Sequence, residues 1–338
     1  EANTRIFGHP SESLATNKSY SEIDIMVYNI VIVGYGEIAR LAHHPVLLPR
    51  SDTNVVGLVD VNFTKDEVVS LAERVDASTH FKKAVTSASN STPTSNPLRF
   101  ASISDVFHYF DGNIDAVCIC TPKTVTLSAA TECLLNASTS TTNALRGILL
   151  EKPPGECVEE LQKVVQMASL RKVSIFTACH TTACPARVHC DAWLADKERR
   201  LKSINITWKE NVRKWHPGQK WISTTSGGGF TDMLFNPLSL IVSQFGLEPK
   251  SIRLIQSDLI RPCNWEAAVS GSAEFIITIR HRDGYDNAKA VDTGIPLYAE
   301  FAFDFEPPAN EDGEKAEEIW NIDYVAYGSV FTLPDGGA

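Results

Sequence analysis

The chain has 338 residues, 43% apolar and 21% charged, enough for one large or two ordinary domains built around a real core. A formal net charge of −10 excludes the basic surfaces that nucleic acids and anionic membranes select, so neither partner is expected. No apolar run approaches the roughly 20 residues that cross a bilayer, and a cytoplasmic location is the matching expectation.

Residues 1–26 are polar, without an apolar stretch or a period, and are expected to be an N-terminal extension outside the fold. Asn29–Gly34 reads as a buried strand, followed by a helix from about Gly36. Val55–Asp60 is a second strand and Lys65–Val75 a helix. Ile114–Cys120 is a further strand, with a helix over Val125–Leu135. Gly147–Glu151 and Val173–Thr177 are strands, with helix Cys157–Leu170 between them. Strands alternating with helices of this length imply right-handed βαβ units and a parallel sheet. The expectation is an α/β fold: a Rossmann, doubly wound domain over residues 27–181.

Two Ser/Thr/Asn-rich segments, Thr86–Asn96 and Ala137–Asn143, read as exposed loops. Beyond residue 200 the pattern changes. Ser203–Trp208, Ile252–Gln256, Glu274–Arg280, Leu297–Phe303 and Ile319–Tyr327 are strand-like, with one good helix near Gly229–Phe245. Residues 182–338 are therefore expected to form an α+β domain with a mainly antiparallel sheet.

The eight cysteines are scattered, as suits reduced core thiols. Cys118 and Cys120 are expected on opposite faces of their strand, unable to form a redox pair. The spacings of Cys179, His180, Cys184, His189 and Cys190 fit no zinc template, and no metal is expected.

Gly34-Tyr35-Gly36-Glu37-Ile38-Ala39 is a G-x-G-x-x-A turn between a strand and a helix. Gly34 permits the tight turn, Gly36 lets backbone approach a pyrophosphate, and Ala39 allows close helix–strand packing. The helix N-terminus offers N–H donors and partial positive charge. Asp60 ends the second strand, where an acidic side chain accepts from both ribose hydroxyls of NAD and repels the 2′-phosphate of NADP. NAD is the expected cofactor, with NADP the alternative.

Glu151-Lys152-Pro153-Pro154 ends another strand at the carboxyl edge, where ligands of open α/β sheets bind. A lysine there can hold a substrate hydroxyl beside a nicotinamide, or it can be a solvated strand-end charge. Asp232 and Asn236 are four apart and share one helix face. A carboxylate near a helix N-terminus is expected to stay ionised and accept a proton, unless Asp232 only caps the helix. Trp208–Trp221 combines three tryptophans with Glu210, Arg213, His216 and Gln219. Such a segment suits a sugar's apolar face and hydroxyl rim, or a loop anchored by core tryptophan.

Together VGYGEIAR, the VD at 59–60, the CTP at 120–122, EKPPG at 151–155, and the glycine run before Asp232 resemble the glucose–fructose oxidoreductase / inositol dehydrogenase / rhizopine catabolism family. Asn236, ITWKENVRKWHPGQKWI, ARLAHHP and LPDGGA resemble its L-arabinose/D-galactose 1-dehydrogenase branch. The resemblance implies an NAD(P)-dependent enzyme oxidising C1 of a pyranose to the 1,5-lactone. Asp232 would accept the proton, Asn236 orient the hydroxyl, and Lys152 bridge substrate and cofactor ribose. Glu210 and His216 would grip other hydroxyls, with His180 and Trp215 lining the pocket. The cofactor would meet Gly34, Gly36, Glu37, Ile38, Asp60, Thr121, Pro122 and Glu151. A homo-oligomer, with the second domain's sheet as its surface, is also implied. A non-enzymatic dinucleotide- and sugar-binding regulator, and an oxidoreductase acting elsewhere on a sugar or dihydrodiol, are the competing readings. Leu234 stands where the branch commonly has glycine and is expected to tighten the pocket floor. The chain stops at Ala338, short of its relatives, and its second domain is expected to be shortened.

Overall fold

A computed structural model describes residues 27–68, 96–137, 145–196, 200–212, 220–225, 228–248, 251–262, 266–279, 293–304 and 318–333. The fold is α/β, built on two six-stranded sheets. The first comprises β1 (Tyr28–Val33), β2 (Thr53–Val59), β3 (Leu98–Phe100), β4 (Ala116–Ile119), β5 (Gly147–Leu150) and β6 (Ser174–Thr177). Its order is β3-β2-β1-β4-β5-β6, and every pairing is parallel. β1 is central and its last four residues are buried, as an apolar strand covered on both faces requires.

One face of this sheet packs Val31, Val33, Val117 and Ile119 against three helices: α2 (Ile103–Tyr109), α3 (Lys123–Asn136) and α4 (Val158–Leu170). The other packs Ile30, Ile32, Val55 and Leu58 under Ala39, at the start of a π-helical turn, Ala39–His43, that continues into α1 (His44–Leu47). Cys118 and Cys120 both belong to this second face. The expectation of opposite faces is wrong, because residues two apart on a strand point the same way. Burial pushes the Cys118 thiol up to about 11, so it is a core thiol that does not ionise near neutrality.

The second sheet has the order β12-β11-β7-β10-β9-β8. Its strands are β7 (Leu201–Asn211), β8 (Ile252–Ile260), β9 (Ser270–Ile279), β10 (Thr293–Asp304), β11 (Ile319–Ala326) and β12 (Ser329–Leu333). The sheet is antiparallel except where β10 runs parallel to β7. Along β7, Ile204, Ile206, Trp208 and Glu210 alternate onto the buried face. A long helix, α6 (Phe230–Phe245), joins that core through Met233, Leu240 and Ile241. A shorter one, α5 (Arg187–Leu194), adds Cys190.

Four elements went unpredicted: β3, α2, α5 and β12. Of the predicted helix Lys65–Val75, residues 65–67 form turns and residues from 69 onward lie outside the described set. So do residues 1–26, most of the segment 86–96, and 138–143. None of the described helices is long and apolar enough to cross a membrane.

Candidate active site

The strand ends of the first sheet are tied side by side. Gly34 N–H donates to Val59 O (2.8 Å), Cys120 N–H to Val33 O (2.7 Å), and Glu151 N–H to Ile119 O (2.9 Å). This brings Gly34, Asp60, Thr121 and Glu151 to one carboxyl edge, around the point where the strand order reverses between β1 and β4. Open α/β sheets bind ligands at such points.

Gly34 has φ +83°, and a Cβ there would lie 2.9 Å from the backbone of Cys120, so only glycine fits. Gly36 is different: a Cβ there would meet nothing within 4 Å. The space above it is open, at the entry of the helical turn, and a pyrophosphate fits that cradle. Glu37, Ile38 and Pro122 are exposed beside it and Thr121 is half-buried.

Asp60 is held before any ligand arrives. Its Oδ2 accepts the Tyr35 N–H of the glycine turn (2.7 Å), and its Oδ1 accepts Asn62 N–H (2.8 Å) and Nδ2–H (2.9 Å). Tyr35 is pinned in turn, its hydroxyl 2.6 Å from His44 Nδ1. Burial pulls the His44 pKa below its ordinary value, so His44 is neutral at pH 7.

At the next strand end, Glu151 Oε1 lies 2.6 Å from His43 Nε2, and Oε2 accepts Lys152 N–H at 2.9 Å. The Lys152–Pro153 bond is cis. The Lys152 ammonium crosses to the second half of the molecule and donates to Asp232 Oδ2 at 3.1 Å. Asp232 is 6% exposed and Asn236 8%. Both sit on the face of α6 turned to the first sheet, as the four-residue spacing predicts.

Local chemistry sets that helix. Gly229 has φ +52°, and a Cβ on it would lie 2.1 Å from Ala268 O, which explains the glycine before the helix. Asp232 N–H returns to Gly229 O (3.2 Å) in the first turn. Pro237 lacks the N–H that would bond Met233 O. Asn236 O is taken by the hydroxyls of Thr181 and Ser239, both at 2.8 Å. Thr181 comes from the 3-10 turn His180–Ala183, so this contact locks the helix to the end of the first half. The side-chain amide of Asn236 has no hydrogen-bond partner among the described residues.

Glu210 is buried and accepts Trp208 Nε1–H at 2.6 Å, on the sheet face that α6 covers. His180 is solvent-exposed at the cleft, and its pKa lies below the ordinary value. Desolvation is the main cause, with the Lys152 ammonium adding to it and Glu151 opposing it. Trp215 and His216 lie outside the described residues. Leu234 does not form a pocket floor: it is buried in the core of the second sheet, facing away from Asp232 and Asn236. Two residues along a helix is about 200° of rotation, so Leu234 cannot share a face with Asp232 and Asn236. Sequence reading missed His43, whose partner is 108 residues away with no local signal.

A parallel sheet carrying a glycine turn and a strand-end aspartate at its switch point is the architecture of dinucleotide-binding folds, and here a lysine–carboxylate pair crosses the cleft beside it. Residues 28–178 match the glucose–fructose oxidoreductase / inositol dehydrogenase / rhizopine catabolism model, described as an oxidoreductase family with an NAD-binding Rossmann fold. The chain is 28% identical over 225 residues to a galactose 1-dehydrogenase of Pseudomonas fluorescens. That match takes in 67% of this chain and 61% of the relative, so the chain spans under two thirds of it. The fold is shared with the D-galactose-1-dehydrogenase protein from Rhizobium etli, with a TM-score of 0.67 and 24% identity, covering 94% of this chain and 82% of that one. It is shared as well with GenD2 from gentamicin A biosynthesis, a complex with NAD, at a TM-score of 0.64 and 16% identity, covering 95% and 75%.

Proposed function

We propose that the protein is an NAD-dependent aldose 1-dehydrogenase, oxidising C1 of a pyranose such as D-galactose or L-arabinose to the 1,5-lactone. The observation that carries this reading is the 3.1 Å contact between Lys152 Nζ and Asp232 Oδ2, which joins the strand end of the NAD-binding domain to the helix bearing Asn236. The galactose 1-dehydrogenase of Pseudomonas fluorescens, related over most of the chain, supplies the substrate class.

In this reading Gly36 and the helix entry hold the pyrophosphate, and Asp60 the adenosine ribose, favouring NAD over NADP. NAD, when bound, supplies the acceptor for the C1 hydride. Asp232 takes the proton of the anomeric hydroxyl as the C1–O bond becomes a carbonyl, so one hydride and one proton leave the sugar. Lys152, already paired with Asp232, has donor capacity left for the same hydroxyl. Asn236 offers beside it an amide with no partner among the described residues, which fixes the hydroxyl between three groups. Glu210 grips another hydroxyl, with His180 at the pocket wall. The exposed Leu254, Leu259 and Ile260 of β8 suit a homo-oligomeric contact.

The test is the purified protein with NAD and then NADP against a panel of aldoses, following absorbance of the reduced cofactor. Turnover on a galacto- or arabino-configured pyranose, with lactone as product, is the expected result. Cofactor binding without turnover on any aldose overturns the reading in favour of a sugar-sensing regulator.

A further inference from the structure

We propose that His43 is a positioning residue for this reaction: it fixes Glu151, and through Glu151 the strand end that presents Lys152 to Asp232. The inference rests on the roles of Lys152 and Asp232 given above.

His43 closes the π-helical turn that follows the glycine turn, and its neighbour's N–H reaches back to Ala39 O. That wider winding is uncommon and recurs at functional sites. Ala39 is fully buried against the sheet, and His43, four residues on, faces the same way. Its Nε2 meets Glu151 Oε1 at 2.6 Å, with the two side chains 16% and 14% exposed. A carboxylate oxygen accepts, so Nε2 is the donor of this bond.

Glu151 thus bonds at both ends. One oxygen is held by the helix that opens the cofactor turn, the other by the backbone N–H of Lys152 itself. A sequestered carboxylate that loses one of two donors will turn to find another. Among the described residues, the Lys152 ammonium is a cation that shares these surroundings, since it and Glu151 both act on His180 and Cys179. Without His43, Glu151 therefore competes with Asp232 for Lys152. The helix side of the cofactor site in this way sets which carboxylate the lysine serves.

The experiment compares wild type with His43→Leu, which removes the donor, and His43→Gln, which keeps an N–H. Lys152→Ala is the control. In the aldose assay, His43→Leu is expected to lower kcat by about 10–100-fold, the usual cost of losing a supporting hydrogen bond to an active-site group. The NADH affinity, read by fluorescence titration, and the unfolding midpoint should stay near wild type, and His43→Gln should recover most of kcat. Wild-type kcat in His43→Leu overturns the proposal. So does a loss that merely follows NADH affinity and stability and is not recovered by glutamine.

A second readout needs no turnover. Acylation of Lys152 by acetic anhydride, followed by mass spectrometry, should change several-fold in His43→Leu and return in His43→Gln, because the amine has changed partner. An unchanged rate overturns the proposal. If wild type oxidises no aldose yet Lys152 labelling responds to His43, the sugar-dehydrogenase reading fails and the positioning role stands.

Discussion

On the cofactor side of the cleft, Asp60 and Glu151 have both carboxylate oxygens engaged by the protein's own groups: Tyr35 and Asn62 for the first, His43 and Lys152 for the second. On the facing helix, the Asn236 amide has no partner among the described residues, although the residue is only 8% exposed. On the first wall these two carboxylates are fixed by the fold itself, although His44 Nε2 behind Tyr35 is buried without a partner among the described residues. On the second, the Asn236 amide is the group that the proposed function assigns to a sugar hydroxyl.

The largest expected effect breaks the pair that joins these walls. Asp232→Asn should reduce turnover by about 10²–10⁴-fold, the range for removing a general base. NADH affinity should be unchanged, because the base stands on the other wall. Steady-state rates with fluorescence titration of NADH check both halves of the statement. An active variant would remove Asp232 from the base role.

How far the sequence already shows this depends on the range of the interaction. Asp60, Lys152 and Asp232 each sit at the end of an element whose period is plain, so chain order alone puts them at a cleft. The alternation of β7 likewise exposes the second sheet. Where the signal is short or distant, reading fails. β3 is three residues long, and the sequence before it is polar. Helix α2 was missed despite a usable signal, since Ser102 Oγ caps it by accepting Asp105 N–H (3.1 Å) in a Ser-x-x-Asp pattern. β12 is the return strand of a hairpin turning at Tyr327-Gly328, with Gly328 at φ +80°. Nothing local could reveal that His43 serves Glu151.

The next effect sharpens the contrast within α6 itself. Leu234 lies in the core on the opposite side from Asp232 and Asn236. Leu234→Ala should therefore cost about 2–5 kcal/mol of stability, the usual range for a buried leucine. The KM for sugar should be unaltered. Denaturant unfolding and steady-state kinetics measure the two separately, and a changed KM with unchanged stability would put Leu234 back at the pocket.

The two glycines of the cofactor turn should separate in the same manner. Gly34→Ala meets backbone at 2.9 Å from a positive φ, so it strains the apoprotein, by about 1–3 kcal/mol. Gly36→Ala meets nothing in the protein. Its unfolding midpoint should match wild type while NADH binding weakens at least about tenfold, or ~1.4 kcal/mol. Equal NADH affinity in Gly36→Ala would mean that no pyrophosphate approaches that backbone.

The smallest effect concerns the choice between NAD and NADP. Asp60→Ser removes the charge that opposes a 2′-phosphate, but it also removes the acceptor of Tyr35 N–H and of Asn62. Affinity for both cofactors should therefore fall through the loosened turn, and that shared loss says nothing about selectivity. The ratio of kcat/KM values is the informative quantity, because loosening the turn affects both cofactors alike and cancels. That ratio should move toward NADP by about fivefold, one pair of charges at partly solvated distance being worth ~1 kcal/mol. An unmoved ratio with weakened binding would make Asp60 a brace of the glycine turn that never touches the ribose.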